Sequence, residues 1–374
     1  MNELQELLKN DVSKAVEKFV EIANSTVDTF TLSSLTNIGE EIAKKVDGHS
    51  KGRVLGTLGN IYYSLGRYED AEKAYLDTLN LYLDLSKKDE KYMYYLAGVL
   101  FNLGNLYQVR RRYEDAEKAY RDAINVLEHV NAEKELAAVL VSLGILYAKV
   151  GHSTNAENVL KKAFEIKRKY VRSKDDLREL GMILNNIAAI YLEEGRNDEA
   201  RILLERALEV FEKYGFIEEM ASVLHNLSSL LDDEEGEKII RRLEGIERGL
   251  SPDLRAKIKY SSAKIAERKG DFSKAANYYL DAACLAFIAY RNYGQGSVNF
   301  IHCFDKAKKL GMDEADAIKT AILRFYFGAN VELESESRAG SLITRALSGE
   351  DIKLEGDTLL DEVIKIIVRD LQRR

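Results

Sequence analysis

Apolar residues recur along this chain at i, i+3 and i+7 in four successive segments: Leu55, Leu58 and Tyr62; Leu100, Leu103 and Tyr107; Leu140, Leu143 and Tyr147; Leu184, Ile187 and Tyr191. On a helix of 3.6 residues per turn this spacing makes a single stripe, so each segment is predicted to be a helix with one buried face. A small residue follows the middle member each time, at Gly59, Gly104, Gly144 and Ala188. A larger side chain there would hold a partner helix away. These markers are 45, 40 and 44 residues apart, a spacing suited to pairs of helices.

A second stripe follows each first one: Ala71, Tyr75, Thr78; Ala116, Tyr120, Ala123; Ala156, Leu160, Ala163; and Ala200, Leu204, Ala207. Two of these segments share the octapeptide Tyr-Glu-Asp-Ala-Glu-Lys-Ala-Tyr, at 68–75 and again at 113–120. Between the paired stripes stand Gly66-Arg67, Arg111-Arg112, Gly151-His152 and Gly195-Arg196. Glycine allows the left-handed residue that ends a helix, and Arg111 is expected to take the same conformation at some strain. The predicted fold is all-α, an array of antiparallel helix pairs.

Over residues 52–210 the pattern resembles the tetratricopeptide repeat, with Leu-Gly-x-x-Tyr on the first helix and Ala-x-x-x-Tyr/Phe-x-x-Ala on the second. The resemblance implies a right-handed superhelical solenoid. The units exceed the family's 34 residues, and its proline near the end of the second helix is missing. They are closer to the long-repeat variant of kinesin light chains and Pins-type polarity adaptors.

Three regions are expected. Residues 1–48 form an amino-terminal capping hairpin, with Leu4, Leu8, Val12, Ala15, Phe19 and Ile22 on one helix and a second from about Ser33 to Val46, closed by Gly48. Residues 49–293 hold about six helix pairs. The fifth is degenerate, with Leu224, Leu227 and Leu231 around Ser228, the acidic turn Asp232 to Glu235 with Gly236, and a helix ending near Gly249. Ser251-Pro252 reads as the start of a sixth pair, whose second helix carries Phe272, Ala275, Tyr279 and Ala282. Residues 294–374 are divergent helices continuous with the array, punctuated by Gly294-Gln-Gly296-Ser297, by Gly311 with Asp313, and by Gly328. The last segment, about Asp357 to Gln372, shows Leu360, Val363, Ile364, Ile367, Val368 and Leu371 as a wide apolar stripe. It caps the preceding helix or makes a homodimer contact.

Of 374 residues, 46% are hydrophobic and 31% charged, with a formal net charge of −7. That balance opposes sequence-blind nucleic-acid binding, where Lys and Arg contacts to phosphate supply the affinity. The clusters Arg110-Arg111-Arg112, Lys167-Arg168-Lys169 and Arg241-Arg242 read as solvated charges. No apolar run approaches the roughly 18 residues of a membrane span, and residues 1–11 do not read as a signal peptide. Two cysteines, Cys284 and Cys303, make no disulfide framework and suit a reducing cytoplasm. With His302 they have no paired spacing that would support a metal site. No nucleophile, phosphate-loop or zinc-protease motif occurs, so neither enzyme activity nor a cofactor is expected.

The resemblance places the first helices on the inner side of the solenoid. Two residues before each marker stand Thr57, Asn102, Ser142, Asn186 and Asn226. One residue after it stand Asn60, Asn105, Ile145, Ala189 and Ser229. These offsets are three apart and share a helix face. Asparagine carries a donor and an acceptor, so such a row suits the N–H and C=O of an extended peptide. It resembles the asparagine ladder of kinesin light chains and Pins-type adaptors, carried over to Asn102, Asn186 and Asn226 with Thr57 and Ser142 as substitutes. The other reading is hydrogen bonding between repeats. Tyr63 and Gln108, one turn further on, are added as contact residues, and His225 either recognises a ligand or packs. The cations of a chaperone-tail carboxylate clamp are missing. The expected function is a scaffold that binds a peptide segment of another protein. The alternative is a peptide sensor resembling the Rap and PlcR families, although residues 1–48 are short for an effector head.

Overall fold

The computed structural model describes residues 2–228, 230, 233–246, 249–293, 298–332, 336–348, 350, 352, 356 and 358–372. Leu231, Asp232, Ser229, the Gly294 to Ser297 break and Asp357 lie outside them. Among the described residues every regular element is a helix. The chain divides into two compact units, 1–194 and 195–374.

The first unit holds α1 (Asn2–Asn10), α2 (Val12–Ser25), α3 (Thr29–Lys45), α4 (Gly48–Ser64), α5 (Tyr68–Ser86), α6 (Tyr92–Val109), α7 (Tyr113–His129), α8 (Glu133–Lys149), α9 (Ser153–Arg168) and α10 (Lys174–Glu193). Consecutive helices pack together, and the first helices α4, α6, α8 and α10 each also touch the next in that series. The amino-terminal apolar run, expected as one helix, is two. Asp11 interrupts it by capping α2, its carboxylate accepting from the Lys14 amide at 3.1 Å. In the same way Asp28 accepts from the Thr31 amide at 2.8 Å and starts α3 four residues before the expected Ser33. Side-chain acceptors satisfy amides that a helix start leaves unpaired, which is why the boundaries fall at aspartates.

The repeat markers work by close approach. Built onto Gly59, a Cβ would collide with the Tyr75 ring; on Gly104 it would collide with Tyr120. Both rings are buried, Tyr120 completely. Burial of a large side chain stabilises by about 1.5–3 kcal/mol, so a missing methyl on one helix admits a large gain from the other. At the turns, Gly66, Gly151 and Arg111 are all left-handed, Arg111 at φ 59°. The Arg112 amide reaches back to the Tyr107 carbonyl at 2.8 Å, as His152 does to Tyr147, and this closure holds the strained arginine in place. Asn131, between α7 and α8, is left-handed too, at φ 54°.

The second unit holds α11 (Asn197–Tyr214), α12 (Ile217–Leu227), α13 (Asp233–Ile246), α14 (Pro252–Arg268), α15 (Phe272–Tyr293), α16 (Phe300–Lys309), α17 (Asp313–Phe327), α18 (Arg338–Leu347) and α19 (Leu359–Gln372). Ser251 caps α14 and Pro252 opens it, while left-handed Gly311 and Gly328 stop α16 and α17. The stripe Val363, Ile364, Ile367 and Val368 on α19 is buried, and the helix packs on α15, α17 and α18. The chain itself covers that part of the stripe. Asp370 adds ion pairing to Arg291 at 3.0 Å and accepts from the Tyr326 hydroxyl at 2.5 Å.

Candidate functional site

On the first unit, the positions two before and one after each marker are three apart on α4, α6, α8 and α10 and so share a helix face. Thr57 is an exception. It is only 8% exposed, so it presents no hydroxyl to a ligand. Asn60 is exposed, and Asn102, Asn105, Gln108, Ser142 and Asn186 are part-buried. Tyr63 is half-buried against Tyr68, ring centroids 5.9 Å apart, and burial raises its phenol.

The polar side chains are bonded to one another. Asn60 Oδ1 accepts from the Tyr75 hydroxyl at 2.8 Å and from Asn102 Nδ2, one repeat later, at 3.1 Å. In the next repeat the Tyr120 hydroxyl donates its one proton chiefly to Asn105 Oδ1 at 2.7 Å, with Gln108 Oε1 as the more distant acceptor at 3.1 Å, while the Ser142 hydroxyl bonds to the phenol oxygen. Burial pushes both phenols well above their ordinary range. A buried O–H has to donate, which fixes the amide oxygens toward the tyrosines and the NH2 groups away from them. The third repeat lacks the whole device: Leu160 lies under Gly144, and Ile145 stands 39% exposed where asparagine stood. Met182, a turn before Asn186 on α10, is 44% exposed.

His225 and Asn226 lie on α12, in the second unit. Asn226 is part-buried and bonded. His225 Nδ1 is 2.5 Å from Ser261 Oγ on α14, and that hydroxyl donates to the Lys257 carbonyl at 2.9 Å. With its one proton so used, Ser261 accepts from His225, whose ring ties two helices together. Burial first, then the Lys257 ammonium, pushes the imidazole down to about 4.

Among the described residues acids pair with the basic clusters, Arg111 excepted. Arg110 binds Glu69 at 2.9 Å and Glu72 at 2.5 Å, Arg112 binds Glu72 and Asp115 at 2.7 Å, and Lys167 and Arg242 meet Glu179 and Glu212. Cys284 and Cys303 are buried free thiols. Burial raises both, Cys303 to about 12. Among the described residues no group of three His, Cys, Asp or Glu converges as metal ligands, and no helix is long and apolar enough to cross a membrane. An open depression of about 450 Å³ near Arg112, Tyr113, Leu146 and His152 includes none of the ladder residues in its lining.

These repeats are recognised independently of the geometry. Family models described as the tetratricopeptide repeat match residues 53–89, 95–169 and 179–238. The chain carries tetratricopeptide repeats over these residues. Solved structures repeat the fold. The chain is similar to a signal transduction ATPase with numerous domains and a tetratricopeptide repeat sensor from Pyrococcus horikoshii, at 16% identity and TM-score 0.62 over 77% of this chain and 45% of that one. Apo RapI matches at 15% identity and TM-score 0.54, over 82% and 97%. A tetratricopeptide repeat protein from Parabacteroides merdae matches at 17% and 0.52, over 79% and 99%. No curated protein sequence matches the chain.

Proposed function

We propose that this protein is a non-enzymatic interaction scaffold that holds an extended peptide segment of a partner protein along the face of α4, α6, α8 and α10. One observation carries the reading. The accessible positions two before and one after the markers on these helices, Asn60, Asn102, Asn105, Ser142, Ile145, Asn186 and Ala189, carry no charge in a chain that is 31% charged. Solvated helix faces with no task are rich in Lys and Glu. An uncharged strip of amides and small apolar groups instead suits a peptide backbone, whose own groups are neutral donors and acceptors. Exposed Ile145 and Met182 add apolar contact for alternate side chains of the ligand. The combined Asn102→Ala and Asn186→Ala variant is expected to keep its helical circular dichroism and to lose capture of its partner from native lysate. Undiminished capture removes this reading.

A second reading, a peptide sensor, is supported by how far the likeness to RapI extends, over 82% of this chain. Small-angle scattering separates the two. A profile unchanged by bound peptide fits the scaffold, and compaction fits the sensor.

A further inference from the structure

Asparagine was expected to serve a ligand with both its oxygen and its nitrogen. The geometry allows that at only some rungs. Asn60 spends its oxygen twice, on Tyr75 at 2.8 Å and Asn102 at 3.1 Å, and Asn105 spends its oxygen on Tyr120 at 2.7 Å. Among the described residues neither NH2 group has a partner. Asn102 is the reverse case: one N–H is used on Asn60, and its oxygen is unbonded among the described residues. The tyrosine rings cannot turn away, because each is buried against a marker glycine, Tyr75 on Gly59 and Tyr120 on Gly104.

We propose that Tyr75 and Tyr120 are positioning residues that set the polarity of this stretch. Asn60 and Asn105 present amide donors to two backbone carbonyls of an extended peptide, and Asn102 presents the acceptor for one backbone N–H. The inference rests on the peptide-binding reading above. Neutral donors with no Lys or Arg among them suit carbonyl oxygen and not a carboxylate, whose recognition uses cations. Preorganised amides lose little freedom on binding, and freeing them costs affinity without removing a contact. Where Tyr and Asn are replaced together, by Leu160 and Ile145, the polarity ends, so the ligand's carbonyl-reading part lies over α4 and α6.

The probe is a twelve-residue peptide selected from a random displayed library on the whole protein. Each of its peptide bonds is replaced in turn by an ester, which removes the N–H, or by a reduced bond, which removes the carbonyl. Two carbonyl deletions are expected to weaken binding at least 5-fold each, against one ester. Tyr75→Phe with Tyr120→Phe keeps both rings, is expected to weaken binding about 5-fold, and blurs the difference between the two scans. Equal sensitivity of the unaltered protein to both deletions overturns the polarity. If Asn60→Ala with Asn105→Ala weakens binding while the tyrosine variant matches wild type, positioning falls and the groove stands. If neither variant changes binding, or no peptide is selected, both fall.

Discussion

The hydroxyl of Tyr147 donates to Glu117 Oε1 at 2.9 Å, and Arg121 joins both, 2.9 Å from the phenol oxygen and 2.8 Å from the carboxylate. Tyr147 belongs to the first helix of one repeat and Glu117 to the second helix of the repeat before. The same join recurs as Tyr62 to Glu40 at 2.6 Å and Tyr191 to Glu157 at 2.7 Å, with Tyr107 bonded to Glu72. Glu72 and Glu117 are the fifth residues of the duplicated octapeptide. The duplication therefore encodes the bond between repeats as well as the packing within one.

Tyr147→Phe is expected to lower unfolding stability by about 1 kcal/mol, the net worth of a hydrogen bond. With Glu117→Gln in a double-mutant cycle the coupling should be about 0.5–1.5 kcal/mol. Urea titration of the four proteins measures it, and zero coupling would show that the bond contributes nothing.

Two glycines on α6 should respond in opposite directions. A Cβ on Gly104 strikes the Tyr120 ring, whereas on Gly98 it meets nothing within 4 Å. Gly104→Ala should destabilise by about 1–3 kcal/mol through overpacking. Gly98→Ala should stabilise by up to about 1 kcal/mol, because alanine is the better helix former. Melting temperatures of the two variants test the contrast.

Arg111 pays for a left-handed backbone that glycine adopts freely. Its side chain is exposed. Arg111→Gly should raise stability by about 0.5–1 kcal/mol, the left-handed strain less the extra chain entropy of glycine in the unfolded state. A lower melting temperature would mean that the guanidinium makes a favourable contact in solution.

His225 gives the second unit an acid weakness. Its folded value of about 4 lies below the ordinary 6.5, so below pH 6.5 the unfolded chain binds the proton more readily. The stability supplied by the neutral ring is complete above pH 6.5 and is lost as pH falls toward 4, by up to about 1.4 kcal/mol per unit. Lys257 and Lys264 reinforce the shift, and Asp253 opposes it. Thermal melts at pH 7 and pH 5 should separate wild type from His225→Gln, with the variant losing less on acidification. An equal loss in both would assign the acid sensitivity elsewhere.

Much of the fold was legible because helix periodicity, small markers and turn residues are local signals. The left-handed Arg111, the Ser251-Pro252 start and the Gly328 stop all follow from backbone preferences of one or two residues. The break at Asp11 was hidden by an apolar stripe that runs through it, since α1 and α2 bury Leu4, Leu8, Ala15 and Phe19 in one core. Asn131 gave a weaker signal than glycine would. At the candidate site, the register located Asn60, Asn102 and Asn105, but not what their oxygens do.

The sequence by itself determined that this is a repeat protein and where each helix pair packs, because a pattern repeated every 40 to 45 residues has few ways to bury its stripes. Only the tertiary structure decided which polar groups are already spent. Thr57 sinks out of reach, α19 turns its apolar face inward, His225 meets Ser261, and Tyr75 meets Asn60 fifteen residues away. Those partners come from other helices and other repeats, so no local pattern contains them. A hydrogen bond made to one side chain is no longer available to a ligand, and that allocation is settled only when the helices pack.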